Sequence, residues 1–379
     1  MVVLLVDALG WTLASRTPGF MPSLRQRRRL DTILGFSSGA LPTLFTGRAP
    51  SEHGRLLMYR RARERSPFAG FGLLALLPSR LRRSATLTRW LTRAVAARGV
   101  RGYFSLYDVP RPLLPAFDLA ERDDIFAAGG LPVDSMWDAL DRRGVPWRGW
   151  NWRTPEAESL AALERRVAEG DERLLFCYTA ELDAALHHQG SSGVAVRRCL
   201  ERYGSTIARL ERAAAARGQA LWIYLLSDHG MVDVTRETDL MGRLRALGVE
   251  WPRDCLAFFD STMARFWWRA PGVRDRVRAA LERSGVGRWL TPEDLERAGA
   301  RFPDHEYGDD IFLLDPGVLL VPSYMGDRRL AAMHGYDPSH PDMAALLWSN
   351  RAVPERVRHL KDVRAYLESE LDAVGEGRE

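Results

Sequence analysis

Three runs of consecutive apolar residues, each of strand length and each leading into acidic residues, constrain the fold of this chain most. They are Val2-Val3-Leu4-Leu5-Val6, followed by Asp7; Leu174-Leu175-Phe176-Cys177-Tyr178, followed by Thr179-Ala180-Glu181-Leu182-Asp183; and Leu221-Trp222-Ile223-Tyr224-Leu225-Leu226, followed by Ser227-Asp228-His229-Gly230-Met231. Runs without polar alternation fit strands covered on both faces, as in parallel sheets. Helical periodicity at 86–98, 133–143, 155–169 and 194–217 supplies the covering layers; Thr154 is the expected N-cap of the third helix, with Pro155 at its first position. The pattern predicts an α/β fold with a central, mostly parallel sheet flanked by helices. In such sheets ligands gather outside the carboxyl ends of the strands, where these acids stand.

Between the first two runs lies Gly35-Phe36-Ser37-Ser38-Gly39-Ala40-Leu41-Pro42-Thr43-Leu44-Phe45-Thr46-Gly47, continuing to Ser51-Glu52-His53-Gly54. Residues 40–45 read as the start of a buried helix, closed at Thr46-Gly47. A hydroxyl at a strand-to-helix turn lies beside N–H groups that favour an anion, which suits attack on phosphorus. The same small-residue pattern occurs in ordinary turns, so by itself it nominates Ser37 and Ser38 without choosing between them.

Asp7 reads either as a ligand-binding carboxylate or as a helix cap. Asp183 and His187 stand four apart, on one face of a helical turn, where carboxylate and imidazole can form half of a zinc or other divalent-metal site. Spacing alone fits an ordinary surface pair better. Asp228-His229-Gly230 is more specific, because adjacent ligands converge only in a loop and the glycine permits one.

At 379 residues the chain has room for one large domain with insertions. We expect a single domain over 1–379, an arginine-rich cap insertion at 55–130, and a second inserted substructure at 235–322 joined to the same sheet. Positive charge is almost all arginine, Lys361 being the only lysine, and 55–100 holds eleven arginines against one acid, Glu64. That patch predicts either an anionic partner or a solvated surface. Inside it, the apolar stretch 67–78, flanked by Arg60, Arg61, Arg63 and Arg65 and by Arg80, Arg82 and Arg83, reads as a cap element, with peripheral membrane contact as the other reading. No nucleic-acid recognition module is evident, so no specific nucleic-acid partner is expected. The three widely spaced cysteines, Cys177, Cys199 and Cys255, read as reduced thiols. No apolar run approaches the ~20 residues of a membrane span, and the opening run is too short for a signal-peptide core; the expected location is cytoplasmic.

Taken together, the pieces resemble the alkaline phosphatase superfamily, and within it the type I phosphodiesterase/nucleotide pyrophosphatase branch. The matching segments are Val6-Asp7-Ala8, the serine run with Phe45-Thr46-Gly47-Arg48-Ala49-Pro50-Ser51-Glu52-His53-Gly54, Glu181-Leu182-Asp183 with His187, Ser227-Asp228-His229-Gly230-Met231, and His334-Gly335-Tyr336-Asp337. The resemblance implies an alkaline-phosphatase-like fold and two divalent metal ions, zinc or alternatively manganese. One would be held by Asp183, His187 and His334, the other by Asp7, Asp228 and His229 with the nucleophile oxygen of Ser37. Ser38 is the runner-up nucleophile and His340 the alternative to His334; His53 reads as structural. The implied activity is hydrolysis of anionic phosphate diesters or diphosphates, nucleotide- or lipid-linked, by serine attack and two-metal in-line displacement. Alternatives are a phosphomonoesterase or phosphomutase of the same superfamily and a non-catalytic anion-binding relative. One departure stands out. Where nucleotide pyrophosphatases carry a phosphate-contacting asparagine this chain has Met58, and a nearby arginine is expected to take over that contact.

Overall fold

The first apolar run becomes the middle of a sheet. In the computed structural model, which describes residues 1–78 and 84–376, Val2–Val6 lies between Leu174–Thr179 and Ile223–Leu226 and runs parallel to both. Trp147–Trp150 extends the parallel set beyond Leu174–Thr179. On the other side Ala345–Ser349 pairs antiparallel with Ile223–Leu226, and Gln26–Leu30 pairs antiparallel with Ala345–Ser349, completing six strands. The mostly parallel α/β sheet expected from the apolar runs is the one observed.

Alternation along the central strand decides what covers each face. Val3 and Leu5 pack with Leu41, Leu44 and Phe45 of the helix Ser37–Thr46 and with Val363 and Leu367 of Leu360–Glu376. Val2, Leu4 and Val6 pack with Leu160 and Leu163 of Glu156–Glu169 and with Leu200, Tyr203 and Ile207 of Val194–Ala216. All five strand residues are fully buried, and burying each contributes roughly 1.5–3 kcal/mol. The sheet edge that carries the acids is therefore rigid. Helix Glu156–Glu169 starts one residue later than its sequence suggests. Pro155 occupies the N-cap position without a side-chain cap, and the Thr154 N–H bonds the Asn151 carbonyl.

The 235–322 segment does not join this sheet, contrary to expectation. Cys255–Phe259, Met263–Trp268, Asp310–Leu314 and Gly287–Trp289 make a four-stranded antiparallel sheet of their own. The first two strands close on each other across Asp260-Ser261-Thr262, so they pair without help from the central sheet. The 55–130 segment packs on the same core: Tyr59 stacks on Phe258 with centroids 5.0 Å apart, and Phe117 meets Phe258 edge-on at 5.0 Å. A buried ion pair, Arg265 to Asp260 at 2.7 Å, adds a hydrogen bond from Arg265 to the Tyr59 carbonyl.

Several arginines of 55–100 are engaged inside the protein. Arg55 is buried and donates to the Gly130 carbonyl; Arg60 pairs with Asp118 and Glu306; Arg63 pairs with Asp304. Arg80, Arg82 and Arg83 lie outside the described residues. In the apolar stretch between them, Phe68 and Phe71 are buried, whereas Leu73 and Leu76 are 72% and 85% exposed. Among the described residues no helix is long and apolar enough to cross a membrane. All three cysteines are buried free thiols.

His53 locks the helix that begins at Ser37. The Thr43 hydroxyl donates to the Gly39 carbonyl, so the His53 Nε2–H donates to that hydroxyl at 2.9 Å. The other ring nitrogen is buried without a partner. Burial, and then the neighbouring Arg55, lowers the imidazole pKa to about 3. The ring is neutral in the fold but protonates near 6.5 once unfolded. Its contribution is complete above pH 6.5 and is lost as pH falls toward 3, at about 1.4 kcal/mol per pH unit. In His53→Gln, whose amide can make the same donation, the slope of stability against pH between 6 and 4 is expected to be shallower by one proton. Equal slopes in thermal melts of the two proteins would refute this assignment.

Candidate active site

Asp7 follows the central strand directly, and its N–H still bonds the Thr179 carbonyl. Ala8 then turns into the left-handed region at φ 61°, uncommon for a residue with a side chain. The turn lets the Ala8 N–H donate to Asp228 Oδ1 at 3.3 Å. Asp228 and His229 leave the neighbouring strand in a loop. Gly230 serves close packing there, not a special φ: a Cβ would stand 2.0 Å from the Asp342 carbonyl oxygen. Helix Glu181–Gln189, on the other side, presents Asp183 and His187 one turn apart, with His187 Nε2 at 3.3 Å from Asp183 Oδ1. His334 arrives on the loop after Ala332–Met333, held by the edge of Phe36 at 5.1 Å. Gly335, at φ 84°, leaves room for that ring, which a Cβ would meet at 2.4 Å.

These residues form one cluster. Donor atoms of Asp7, Asp228 and His229 lie within 4.8 Å of one another, and so do those of Asp183, His229 and His334. His229 Nε2 is 3.3 Å from both Asp7 and Asp228, and its ring stacks on His334 at 3.9 Å. Ser37 opens its helix and places Oγ 2.9 Å from His229 Nε2. Ser38 lines the same cavity, but its hydroxyl is buried without a partner. His340 instead caps a short 3₁₀ helix through Nδ1, and His188 is exposed.

The electrostatics favour bound cations. Three carboxylates meet at the site, and Asp7 Oδ1, Asp183 Oδ1, Asp228 Oδ2 and His334 Nδ1 are buried without a hydrogen-bond partner. Burial, then the charges of Asp228 and Asp183, push Asp7 well above the ordinary carboxylate range. Burial, then His229 and His187, push His334 well below the ordinary imidazole range. His187 and His229 each direct Nδ1 at a carbonyl, of Ala332 and Gly230, at 2.9 Å. This fixes the tautomer that leaves Nε2 free as a ligand, the usual support for a metal-binding histidine. Hard oxygen and imidazole donors together suit zinc and neighbouring divalent ions.

Sequence reasoning missed the residues around this cluster. The Tyr178 hydroxyl donates a short hydrogen bond to Asp7 Oδ2; the parallel register that sets Leu5 opposite Tyr178 and brings them together is a property of the sheet. Beyond the cluster opens a cavity of about 240 Å³ lined by Met58, Tyr103, Tyr107, Glu121, Trp152 and Asp260, among others. Nothing in the local sequence marked these residues, which come from separate loops. Met58 lies where the resemblance placed it, but no arginine among the described residues lines the cavity. The expected substitution of an arginine for the missing asparagine is thus not observed, because Arg55 and Arg60 are committed to partners elsewhere.

A mostly parallel sheet that gathers carboxylates and imidazoles beside Ser37, the first residue of its helix, has the make-up of a phosphoric-ester hydrolase. The type I phosphodiesterase/nucleotide pyrophosphatase family model matches residues 1–337, and the chain belongs to that family. No curated protein matches it in sequence. Among solved structures it is similar to murine ectonucleotide pyrophosphatase/phosphodiesterase 5, at 16% identity and a TM-score of 0.66, covering 98% of this chain and 95% of the other. The human counterpart gives 14% identity and 0.67, covering 98% and 94%. An inactive variant of the murine protein in complex with AMP gives 16% and 0.65, covering 98% and 94%. At these identities the likeness concerns the fold.

Proposed function

We propose that the chain hydrolyses phosphate diesters or diphosphates, with Ser37 as nucleophile. Asp183, His187 and His334 would hold one divalent cation, and Asp7, Asp228 and His229 the other; the donor set favours zinc, with manganese as the alternative. The observation that carries this reading is the convergence of three buried, unpartnered carboxylate oxygens with Ser37 Oγ at 2.9 Å from His229 Nε2. When bound, such ions polarise the phosphoryl group and favour loss of the serine proton. Ser37 Oγ attacks phosphorus, the bond to the leaving oxygen breaks, and water later releases the phosphoryl group from the serine. The Ser37 and Ser38 N–H groups, which precede the first helical hydrogen bonds from the Gly39 and Ala40 N–H groups to the Phe36 carbonyl, stabilise the phosphoryl oxygens. Tyr178 holds Asp7 in one rotamer through its hydrogen bond.

A nucleotide-type substrate draws support from the AMP bound by the related murine protein. Diesters are favoured over monoesters because no arginine among the described residues lines the cavity to meet a second phosphate charge. The test is hydrolysis of bis-p-nitrophenyl phosphate against p-nitrophenyl phosphate with zinc or manganese supplied. We expect at least a tenfold preference in kcat/KM for the diester; a monoester preference would replace this reading with a phosphatase.

A further inference from the structure

The segment 65–107 contains eight arginines and no acidic residue, and it displays apolar side chains that the core does not use. In the 3₁₀ helix Phe71–Leu76, residues three apart share a face. Phe71 is buried and Leu74 packs against the same core, whereas Leu73 and Leu76, also three apart, are largely exposed. The helix Ala85–Ala96 repeats this division. Leu91 and Val95 are buried, while Thr86, Arg89, Trp90 and Arg93, at helical spacing, make an exposed face on which Trp90 is 67% exposed. Arg98 joins the two elements, since it donates to the Pro67 carbonyl at 2.5 Å and lies over the Phe71 ring at 5.2 Å. Exposed apolar residues scattered singly need no explanation, but these three large side chains stand on adjoining elements.

The charge around them is unbalanced. Arg101 pairs with Asp123, but Arg65, Arg89 and Arg93 are exposed and, among the described residues, pair with no acid. Outward leucines and a tryptophan among unpaired arginines suit a bilayer surface. The leucines enter the boundary between head groups and acyl chains, the indole sits at head-group level, and the guanidinium groups meet lipid phosphates. A nucleic acid would engage the arginines but leave Leu73 and Leu76 in water, so a membrane accounts for more of what is exposed. We infer that Leu73, Leu76, Arg89, Trp90 and Arg93 dock the protein on an anionic phospholipid surface. Arg111 ties this face to the active site: it donates to the Thr88 hydroxyl at 3.1 Å and to the Tyr107 carbonyl at 3.0 Å, and Tyr107 lines the cavity beside the metal-ligand cluster. Docking through the helix Ala85–Ala96 therefore fixes that cavity relative to the membrane, whichever phosphate ester it cleaves.

The experiment is vesicle flotation of the full chain at physiological salt. We expect partitioning onto equal parts phosphatidylcholine and phosphatidylglycerol to exceed that onto phosphatidylcholine alone by about tenfold or more. Leu73→Ser with Leu76→Ser should lower it by about tenfold, and Arg89→Gln with Arg93→Gln by about fivefold per arginine. All four side chains are exposed, so the variants should melt with the wild type. If the leucine variant does not fold, Trp90 decides: vesicles with brominated acyl chains should quench part of the tryptophan emission, and that part should be missing in Trp90→Phe. Soluble glycerophosphoglycerol should not compete, which separates a lipid surface from a free phosphodiester. No binding to anionic vesicles, binding that survives loss of both leucines, or quenching that persists in Trp90→Phe would overturn the docking face. Duplex DNA that binds more tightly than vesicles, and equally to the leucine variant, would replace it with a nucleic-acid surface.

Discussion

Ser37→Ala is expected to lower kcat on bis-p-nitrophenyl phosphate by on the order of 10⁴-fold or more, the scale of losing a nucleophile. The variant should stay folded, because Ser37 is half-buried at a helix start and its recorded side-chain hydrogen bond is to His229. Ser38→Ala is the informative contrast. Its hydroxyl is buried with no partner, so removing it abolishes no hydrogen bond, and we expect less than a tenfold change in kcat with stability unchanged or slightly higher. Measuring kcat, melting temperature and metal content on both variants separates chemistry from folding. If Ser38→Ala were inactive and Ser37→Ala active, the nucleophile assignment would move by one residue.

The sheet was legible because burial on both faces writes itself as an unbroken apolar run: Val2–Val6 and Leu174–Thr179 are buried throughout. The cluster was legible in pieces, since Asp183 and His187 need only helical spacing to meet, whereas His334 reaches them from about 150 residues away on a loop that no periodicity marks. What stayed hidden depends on tertiary packing. The strands of 235–322 carry the same apolar signature whether they extend the central sheet or close on one another, so their separate antiparallel sheet could not be read. The partners of Arg60 and Arg63 could not be read either, because the acids that engage them, Asp118, Asp304 and Glu306, lie far along the chain. The cavity wall is hidden for the same reason.

Asp228→Asn should invert the order of stability between metal-free and metal-loaded protein. Without cations, the Asp7, Asp183 and Asp228 carboxylates crowd one buried site, and both Asp183 and Asp228 disfavour the charged form of Asp7. Asparagine removes one of these charges, and its amide oxygen can still accept the Ala8 N–H that Asp228 Oδ1 now accepts at 3.3 Å. The metal-free variant is therefore expected to melt above the metal-free wild type. With zinc the sign reverses. A ligand at a thousandfold excess over its Kd stabilises by about 4 kcal/mol, on the order of 5 °C for a chain of this length, and a variant with one site weakened forgoes part of that gain. Elemental analysis should fall from two metals per chain toward one, and kcat by about 10³-fold, the scale of losing a major electrostatic contribution to the transition state. Paired melts with and without a chelator read the crossing directly. If Asp228→Asn melts below the wild type in both conditions, Asp228 is a structural carboxylate and the two-metal assignment fails at that residue.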